Sequence, residues 1–404
     1  MGDSPMLVIL PNLQAARAPG SRVVLTRKFL DGTLEYLKSW DGPVSVVMEE
    51  IPEATNNLDN IEVHPSELPF RLDLADYDRI GDSPCFRDGN LIFAGVGHRT
   101  NHLARACREL GKRCVYITEY TLKTRLQGMN ASTRNPLLRL RRSLWQYSQE
   151  REQRAAIALA DGVQCNGTPT FEAYRDINPS PFLFFDTRVG EEMLAPEQDR
   201  AARHSACLAG EPLRLVFSGR LIPMKGADHL VPVARELTRL GVPFELSICG
   251  GGEQQEEIRQ AIDREGLGDS VRLLGVLDFK SELVPFVTRD TDLFVCCHRQ
   301  GDPSCTYLET MSCGVPIAGY DNEAFEGIVA TSEVGWSTPM DRPEPLARKI
   351  AELHEDRPAI VEAGKRSLDF ARQHTFEKTF GRRIEHLKGI VSGVPAVEAV
   401  QGSR

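Results

Sequence analysis

An arginine and a lysine stand five residues apart in "GRLIPMKGADHL" (219–230), directly after the apolar run "LRLVFSG" (213–219). If that run is a strand and "ADHLVPVARELTRLG" a helix, Arg220 and Lys225 lie at the carboxyl edge of a parallel sheet, where α/β folds bind ligands. Two cations there suit an anionic group, a pyrophosphate above all. The competing reading is a pair of solvated cations on a surface turn. A second segment, "GGG" at 250–252, ends the run "FELSIC"; glycine lets backbone approach a nucleotide closely. It lacks the spaced G-x-G-x-x-G of a dinucleotide site, so alone it reads as a tight turn. A third segment is "GDPSCTYLETMSCGVPIAGY" (301–320). Ser304, Cys305 and Thr306 open a predicted helix, whose free N–H groups and positive dipole end favour a phosphate. Glu309, near the next turn, could accept two hydrogen bonds from a ribose diol, since an ionised carboxylate only accepts. Alone, it is an ordinary exposed helix residue.

These segments need strands and helices to position them. In the first half, "MLVIL" (6–10), "VSVVM" (44–48), "NLIFAG" (90–95) and "CVYIT" (114–118) read as strands. Between the last two, Leu103, Ala106, Cys107 and Leu110 recur at helical spacing. In the second half come strands at 213–219, 244–250, 271–275, 293–297 and 315–320, each followed by a helix-period stretch. Alternating strands and helices imply parallel sheets covered on both faces, hence α/β and two Rossmann-like domains with a cleft between them. The boundary is expected in the polar, proline-containing stretch 190–212. That gives a first domain over 1–200 and a second over 201–374. The segment 375–404 supplies a final helix (375–391), with Phe376, Phe380, Ile384 and Leu387 on one face, and a tail.

Bulk properties narrow the class. At 404 residues the chain is too long for one ordinary core. With 41% apolar and 26% charged residues it reads as soluble and globular, and no apolar run approaches the roughly 18–20 residues of a membrane span. "MGDSPMLVILPNLQ" has no basic flank and too short an apolar run for a signal peptide. The ten cysteines are scattered without a C-x-x-C, several within apolar runs. They read as reduced, buried thiols of a cytoplasmic protein, with no metal site encoded.

Taken in order, "FSGRLIPMKGADHL", "LSICGGGEQQEEIRQAI", "DSVRLLGVLDFKSEL", "DLFVCC" and "SCTYLETMSCGVPIAGYDNEAFEGIV" resemble the donor domain of retaining glycosyltransferase family 4, a family of the two-domain GT-B fold. The match covers about residues 213–340, and "ALADGVQCNGTPTFEAYRDI" (158–177) resembles the family's helix–strand–helix ahead of the linker. The resemblance implies that Arg220 and Lys225 hold the diphosphate of a nucleotide-sugar donor, most simply a UDP-sugar. Gly219, Gly250 and Gly251 would line its path, Glu309 would bind the ribose, and the backbone of Ser304, Cys305 and Thr306 would face the phosphates. It also implies metal-independent transfer without a cofactor, the last helix crossing back to the first domain, and an acceptor bound by the first domain. Charge accumulates on the leaving diphosphate as the glycosidic bond breaks, so fixed cations and helix N–H groups there favour the transition state over the ground state.

The sequence departs from the family in two places. The family carries two glutamates separated by seven residues, the first near the donor sugar; counting back from Glu309, that position is Gly301, with Asp302 beside it. Asp302 takes the role from one residue away, or the sugar is held differently. Where the family often has a histidine after the fourth strand, "ITEYT" places Tyr120, with Glu119 before it. His98 and His102 are the alternative first-domain candidates.

Residues 121–142 carry Lys123, Arg125, Arg134, Arg139, Arg141 and Arg142 and no acid, in a chain of net charge −9. Asn135 and Pro136 make a good helix start. Leu137, Leu140 and Leu144 then share a face with Trp145 nearby. The stretch 121–145 reads either as a basic amphipathic surface for an anionic membrane, around Arg139, Arg141, Arg142 and Trp145, or as a solvated helix whose leucines face the core. A membrane surface would suit a lipid or lipid-linked glycan acceptor and a cytoplasmic enzyme peripheral at the inner face of the membrane. Nucleic acid is excluded by the small size of the patch and its lack of interleaved aromatics. Two other functions compete: a Rossmann dehydrogenase, which the missing glycine fingerprint disfavours, and a catalytically inactive sugar-nucleotide binder, which Gly301 and Tyr120 would suit.

Overall fold

The computed structural model describes residues 4–54, 59–133 and 135–393. The chain divides into two compact units. The first takes Met1–Leu122, Asn135–Phe184 and Glu377–Gln401; the second takes Lys123–Arg134 and Phe185–Phe376.

Ten strands build the sheet of the first unit: β1 (Leu7–Leu10), β2 (Gln14–Ala18), β3 (Arg22–Thr26), β4 (Val44–Ile51), β5 (Asn60–Val63), β6 (Arg71–Leu74), β7 (Leu91–Gly95), β8 (Arg113–Thr118), β9 (Gly162–Asn166) and β10 (Pro181–Phe184). Their order is β10-β9-β8-β7-β1-β4-β2-β3-β5, with β6 also paired to β4. The centre is parallel and buried, as runs such as "LVIL" and "LIFAG" require. β4 forks: Val44–Val46 pair with β1, Ser45–Met48 with β6, and Glu49–Ile51 with β2. The stretch "PNLQAARAPGSR" leads into the β2–β3 antiparallel hairpin. Gly20 (φ 70°) and Ser21 (φ 59°) make its turn.

Six parallel strands build the second sheet: β11 (Leu213–Ser218), β12 (Phe244–Cys249), β13 (Val271–Gly275), β14 (Leu293–Cys296), β15 (Ile317–Tyr320) and β16 (Gly335–Thr338). The order β13-β12-β11-β14-β15-β16 runs outward one way from β11 and then returns to its other side at β14. The carboxyl ends of β11 and β14 therefore flank a topological switch point, the crevice where open α/β sheets bind ligands.

Seven helices matter below: α1 (Leu122–Ser132), α2 (Pro136–Leu159), α3 (Glu197–Leu208), α4 (Leu230–Arg239), α5 (Cys305–Ser312), α6 (Glu323–Ser332) and α7 (Phe376–Ser392). The long segment of the second unit begins at Phe185, upstream of the expected 201. The stretch 190–212 is no simple linker, because it contains α3, and Arg203 of α3 is buried. Its guanidinium donates to the carbonyls of Thr288 (2.7 Å), Cys313 (2.9 Å) and Gly314 (2.6 Å), tying α3 to the second unit. The stretch is polar in sequence, yet its Arg203 is spent on carbonyls at helix ends.

Helix α7 groups with the first unit, as the expected return of the last helix requires. Arg383 donates to Gln164 Oε1 (2.9 Å), and its guanidinium lies 4.2 Å from the Phe184 ring centroid. His386 Nε2 meets the Ser180 carbonyl at 3.1 Å, while Nδ1 lies 3.3 Å from Gln164 Nε2. Nε2 then donates and Nδ1 accepts, the pattern of a neutral ring. Burial pushes the His386 imidazole down to about 4, which agrees. The expected tail beyond residue 393 lies outside the described residues. None of the ten cysteines forms a disulfide; nine are buried and Cys305 is half-buried.

Candidate functional site

The loop after β11 is fixed from two sides. Gly219 N–H donates to the Cys249 carbonyl (3.0 Å) and Leu221 N–H to the Gly251 carbonyl (2.9 Å), so the loop is stitched to the glycines after β12. Gly250 has φ 140°, and a Cβ there would stand 1.9 Å from the Gly219 carbonyl oxygen. The glycine run thus permits a backbone approach that no side chain could. On the other side Arg299, three residues after β14, grips the loop. Its guanidinium donates to the Pro223 carbonyl (2.6 Å) and to both oxygens of Asp228 (2.7 and 2.8 Å). Burial raises the Asp228 carboxyl, but hydrogen bonds from Arg299 and its charge bring it below the ordinary range. Between these anchors Pro223–Lys225 form one tight turn, which Gly226 ends in the left-handed region at φ 66°.

That turn buries Lys225, with its ammonium 3.2 Å from Asp302 Oδ2 and 3.5 Å from Ser304 Oγ. His298 is buried beside it, between Phe217 and Tyr307. Burial, and then the charge of Lys225, hold the imidazole pKa well below its usual value. The ring is therefore neutral, and it adds no positive charge to the site. Arg220 is exposed one residue past the end of the β11 loop glycine and has no ion pair among the described residues.

Helix α5 begins at Cys305, and Ser304 at its N-cap makes no side-chain cap, so the first-turn N–H groups are not spent on that hydroxyl. One turn on, Glu309 Oε1 accepts from Arg188 Nε at 2.6 Å. The Arg188 guanidinium lies over the Phe279 ring, 3.7 Å from its centroid. The arrangement offers a buried cation, an exposed cation, helix N–H groups and a carboxylate along one sheet edge. It is suited to an extended ligand with a polyanionic middle and a hydroxylated end.

Arg220, Lys225, Gly219, Gly250, Gly251, Asp302, Ser304, Cys305, Thr306 and Glu309 all lie in the second unit, on the loops following β11, β12 and β14 and on helix α5. His98 and Tyr120 lie in the first. His98 is exposed, its ring 5.6 Å from that of Trp145, and Tyr120 is exposed as well. The structure also corrects the reading of 121–145 as one patch. From Lys123, helix α1 groups with the second unit, whereas α2 with Arg139, Arg141, Arg142 and Trp145 belongs to the first. Arg134 lies outside the described residues. On α2 the core-facing reading of the leucines fails, for Leu137, Leu140, Leu144 and Trp145 are all exposed. Sequence reasoning missed Arg188, Arg299 and His298. Each acts through a partner far along the chain, and no local spacing signals such a contact. Among the described residues no group of three His, Cys, Asp or Glu could hold a metal ion, and no helix is long and apolar enough to cross a membrane.

Residues 199–369 match the family model "Glycosyl transferases group 1". The match contains every one of the site residues just named in the second unit except Arg188. The amylovoran biosynthesis glycosyltransferase AmsK of Erwinia amylovora is 25% identical over 158 residues, 37% of this chain and 38% of the relative. The 2-deoxystreptamine N-acetyl-D-glucosaminyltransferase of Streptomyces fradiae is 31% identical over 127 residues, 31% of this chain and 30% of the relative. The chain spans less than half the length of the curated relatives it matches. In three dimensions the likeness extends over most of the chain. The crystal structure of Alr3699/HepE from Anabaena in complex with UDP superposes with a TM-score of 0.63 at 15% identity, covering 96% of this chain and 100% of that one. The fold is GT-B.

Proposed function

We propose that the chain is a retaining glycosyltransferase that moves a sugar from a nucleoside-diphosphate sugar, a UDP-sugar first of all, to a lipid, lipid-linked or surface glycan. The observation that carries this reading is Lys225, buried at the switch point with Asp302 and Ser304 beside it and the α5 N-terminus adjoining. A buried ammonium beside a helix N-terminus stabilises charge that develops on a leaving diphosphate. The similar Alr3699/HepE has been crystallised with UDP and with UDP-glucose, which supports the donor class. Because the cations are the protein's own, transfer is expected to continue in EDTA.

The reading is tested by melting the protein with UDP, GDP, ADP and their sugar conjugates, since a ligand that binds only the folded state raises the melting temperature. One nucleotide series should stabilise the protein selectively, and Arg220→Ala should abolish the shift. No shift with any of them would contradict the donor site. Binding without release of nucleoside diphosphate across an acceptor panel would favour the inactive binder.

An acceptor at an anionic lipid surface is supported by the surface of α2. Leu137, Leu140, Leu144 and Tyr147 are exposed and recur at three- and four-residue spacing along one face. Exposed Arg139, Arg141 and Arg142 flank them, and no Asp or Glu occurs between residues 120 and 149. Apolar burial and attraction to anionic headgroups then act together, which suits an enzyme peripheral at the cytoplasmic face of a membrane. The protein should float with phosphatidylglycerol vesicles and not with phosphatidylcholine alone, and Leu144→Glu should release it. Equal recovery with both vesicles, or with neither, would remove the lipid surface from the account.

A further inference from the structure

Two carboxylates near the start of α5 compete to meet the donor's sugar, and the geometry separates them. Asp302 has both oxygens within 3.4 Å of the Lys225 ammonium, so it is spent on the cation. The second is Glu323, the first residue of α6, far along the chain from the motif. A Cβ placed on Gly301 would stand 3.2 Å from Glu323 Cβ, 3.3 Å from Glu323 Oε2 and 3.3 Å from Thr124 Oγ1. The space that a side chain at 301 would fill is thus bordered by the Glu323 carboxylate. We propose that Glu323 is the residue that accepts hydrogen bonds from the hydroxyls of the donor sugar, with Gly301 leaving the room for it. This rests on the donor reading above.

The carboxylate is aimed by its surroundings. Lys123 of α1 lies 3.1 Å from Glu323 Oε1, the oxygen other than the one nearest Gly301. Helix α1 is docked at that spot by Thr124 Oγ1 donating to the Gly301 carbonyl (3.3 Å) and by Gln127 Oε1 accepting from Gly301 N–H (3.4 Å). The α6 end is locked by Asn322, which caps Phe325 N–H (3.0 Å) and donates to the His298 carbonyl (3.1 Å). Glu323 is therefore fixed to the loop that carries Asp302, one residue from Gly301 and about 3.8 Å along the chain. Its side chain stays 29% exposed, so it can reach a ligand. An ionised carboxylate offers acceptors only, and sugar hydroxyls donate. Glu323 thereby selects a sugar with hydroxyls facing it, and Lys123 is a positioning residue.

The test compares dissociation constants for UDP with UDP-glucose, and for GDP with GDP-mannose, in wild type, Glu323→Gln and Gly301→Ala. In Glu323→Gln the diphosphate constant should stay within about twofold. The ratio of the sugar-nucleotide constant to the diphosphate constant should rise about tenfold, and turnover should fall about 10- to 100-fold. Gly301→Ala crowds the same carboxylate without removing it and should move the ratio in the same direction. Lys123→Arg should retain most of the wild-type ratio, and Lys123→Met should not. An unchanged ratio in Glu323→Gln overturns the proposal, and so does an equal loss for the diphosphate alone, the mark of a merely structural residue. A wild-type chain that binds no nucleoside diphosphate overturns the donor reading and this inference with it.

Discussion

Lys225→Ala is expected to lower turnover by about 10²–10³-fold, roughly 3–4 kcal/mol of transition-state stabilisation, the loss typical of one fixed donor to a developing anion. The ammonium is nearly buried, so its field at the diphosphate is screened far less than that of an exposed cation. Neutral His298 beside it does not compete for the anion. In the unliganded protein the same ammonium neutralises Asp302, so the substitution also leaves that carboxylate unpaired. Asp302 retains 19% of its side-chain exposure and stays partly hydrated, which limits the stability cost to about 1–2 kcal/mol. Steady-state kinetics and a melting curve on the same preparation separate the two effects. Lys225→Arg is not expected to rescue turnover, because a branched guanidinium does not fit where a compact ammonium is enclosed. Wild-type turnover in Lys225→Ala would remove this residue from the chemistry.

The second large effect is on folding. Gly226 and Gly20 both occupy the left-handed region, at φ 66° and 70°. A Cβ on Gly20 meets nothing within 4 Å, whereas one on Gly226 would stand 1.9 Å from the Cys297 carbonyl oxygen and 2.7 Å from the carbonyl carbon. Gly20→Ala therefore costs only the backbone term, about 1–2 kcal/mol. Gly226→Ala adds a clash with backbone just after β14, which cannot rotate away, and costs about 3–5 kcal/mol in all. For a unit of this size that lowers the melting temperature by about 10 °C. It also shifts the turn that carries Lys225, so donor binding fails together with stability. Equal melting points for the two alanine variants would show that the loops after β11 and β14 are not packed as described.

The comparison of these glycines shows what a sequence can reveal. The strands of the second sheet are legible because a parallel sheet buried on both faces demands continuous apolar runs such as "LRLVFS" and "LFVC". Arg220 and Lys225 stand out because they follow the run "LRLVFS" closely, whereas Glu309 stands out only through the family resemblance. The β2–β3 hairpin is not, for "QAARA" neither alternates nor runs apolar. Helix α3 looks like a linker because Arg200 and Arg203 are buried, against the ordinary habit of arginine. Glu323 and Lys123 are invisible for a further reason. Their meeting beside Gly301 depends on a helix from residue 123 onward packing against residues near 300, and no short-range pattern encodes that contact.

The central claim is that the carboxyl edge of the second sheet holds a nucleoside-diphosphate sugar and releases the diphosphate on transfer. The most direct measurement is chromatographic quantitation of nucleoside diphosphate released from UDP- and GDP-sugars, with wild type and Lys225→Ala. Lipid extract from a glycan-producing bacterium serves as acceptor. The account predicts release from one donor series by wild type, dependent on extract, and a rate lower by about 10²–10³-fold in the variant. Release that is the same in both proteins, or absent with every donor in wild type, would contradict it.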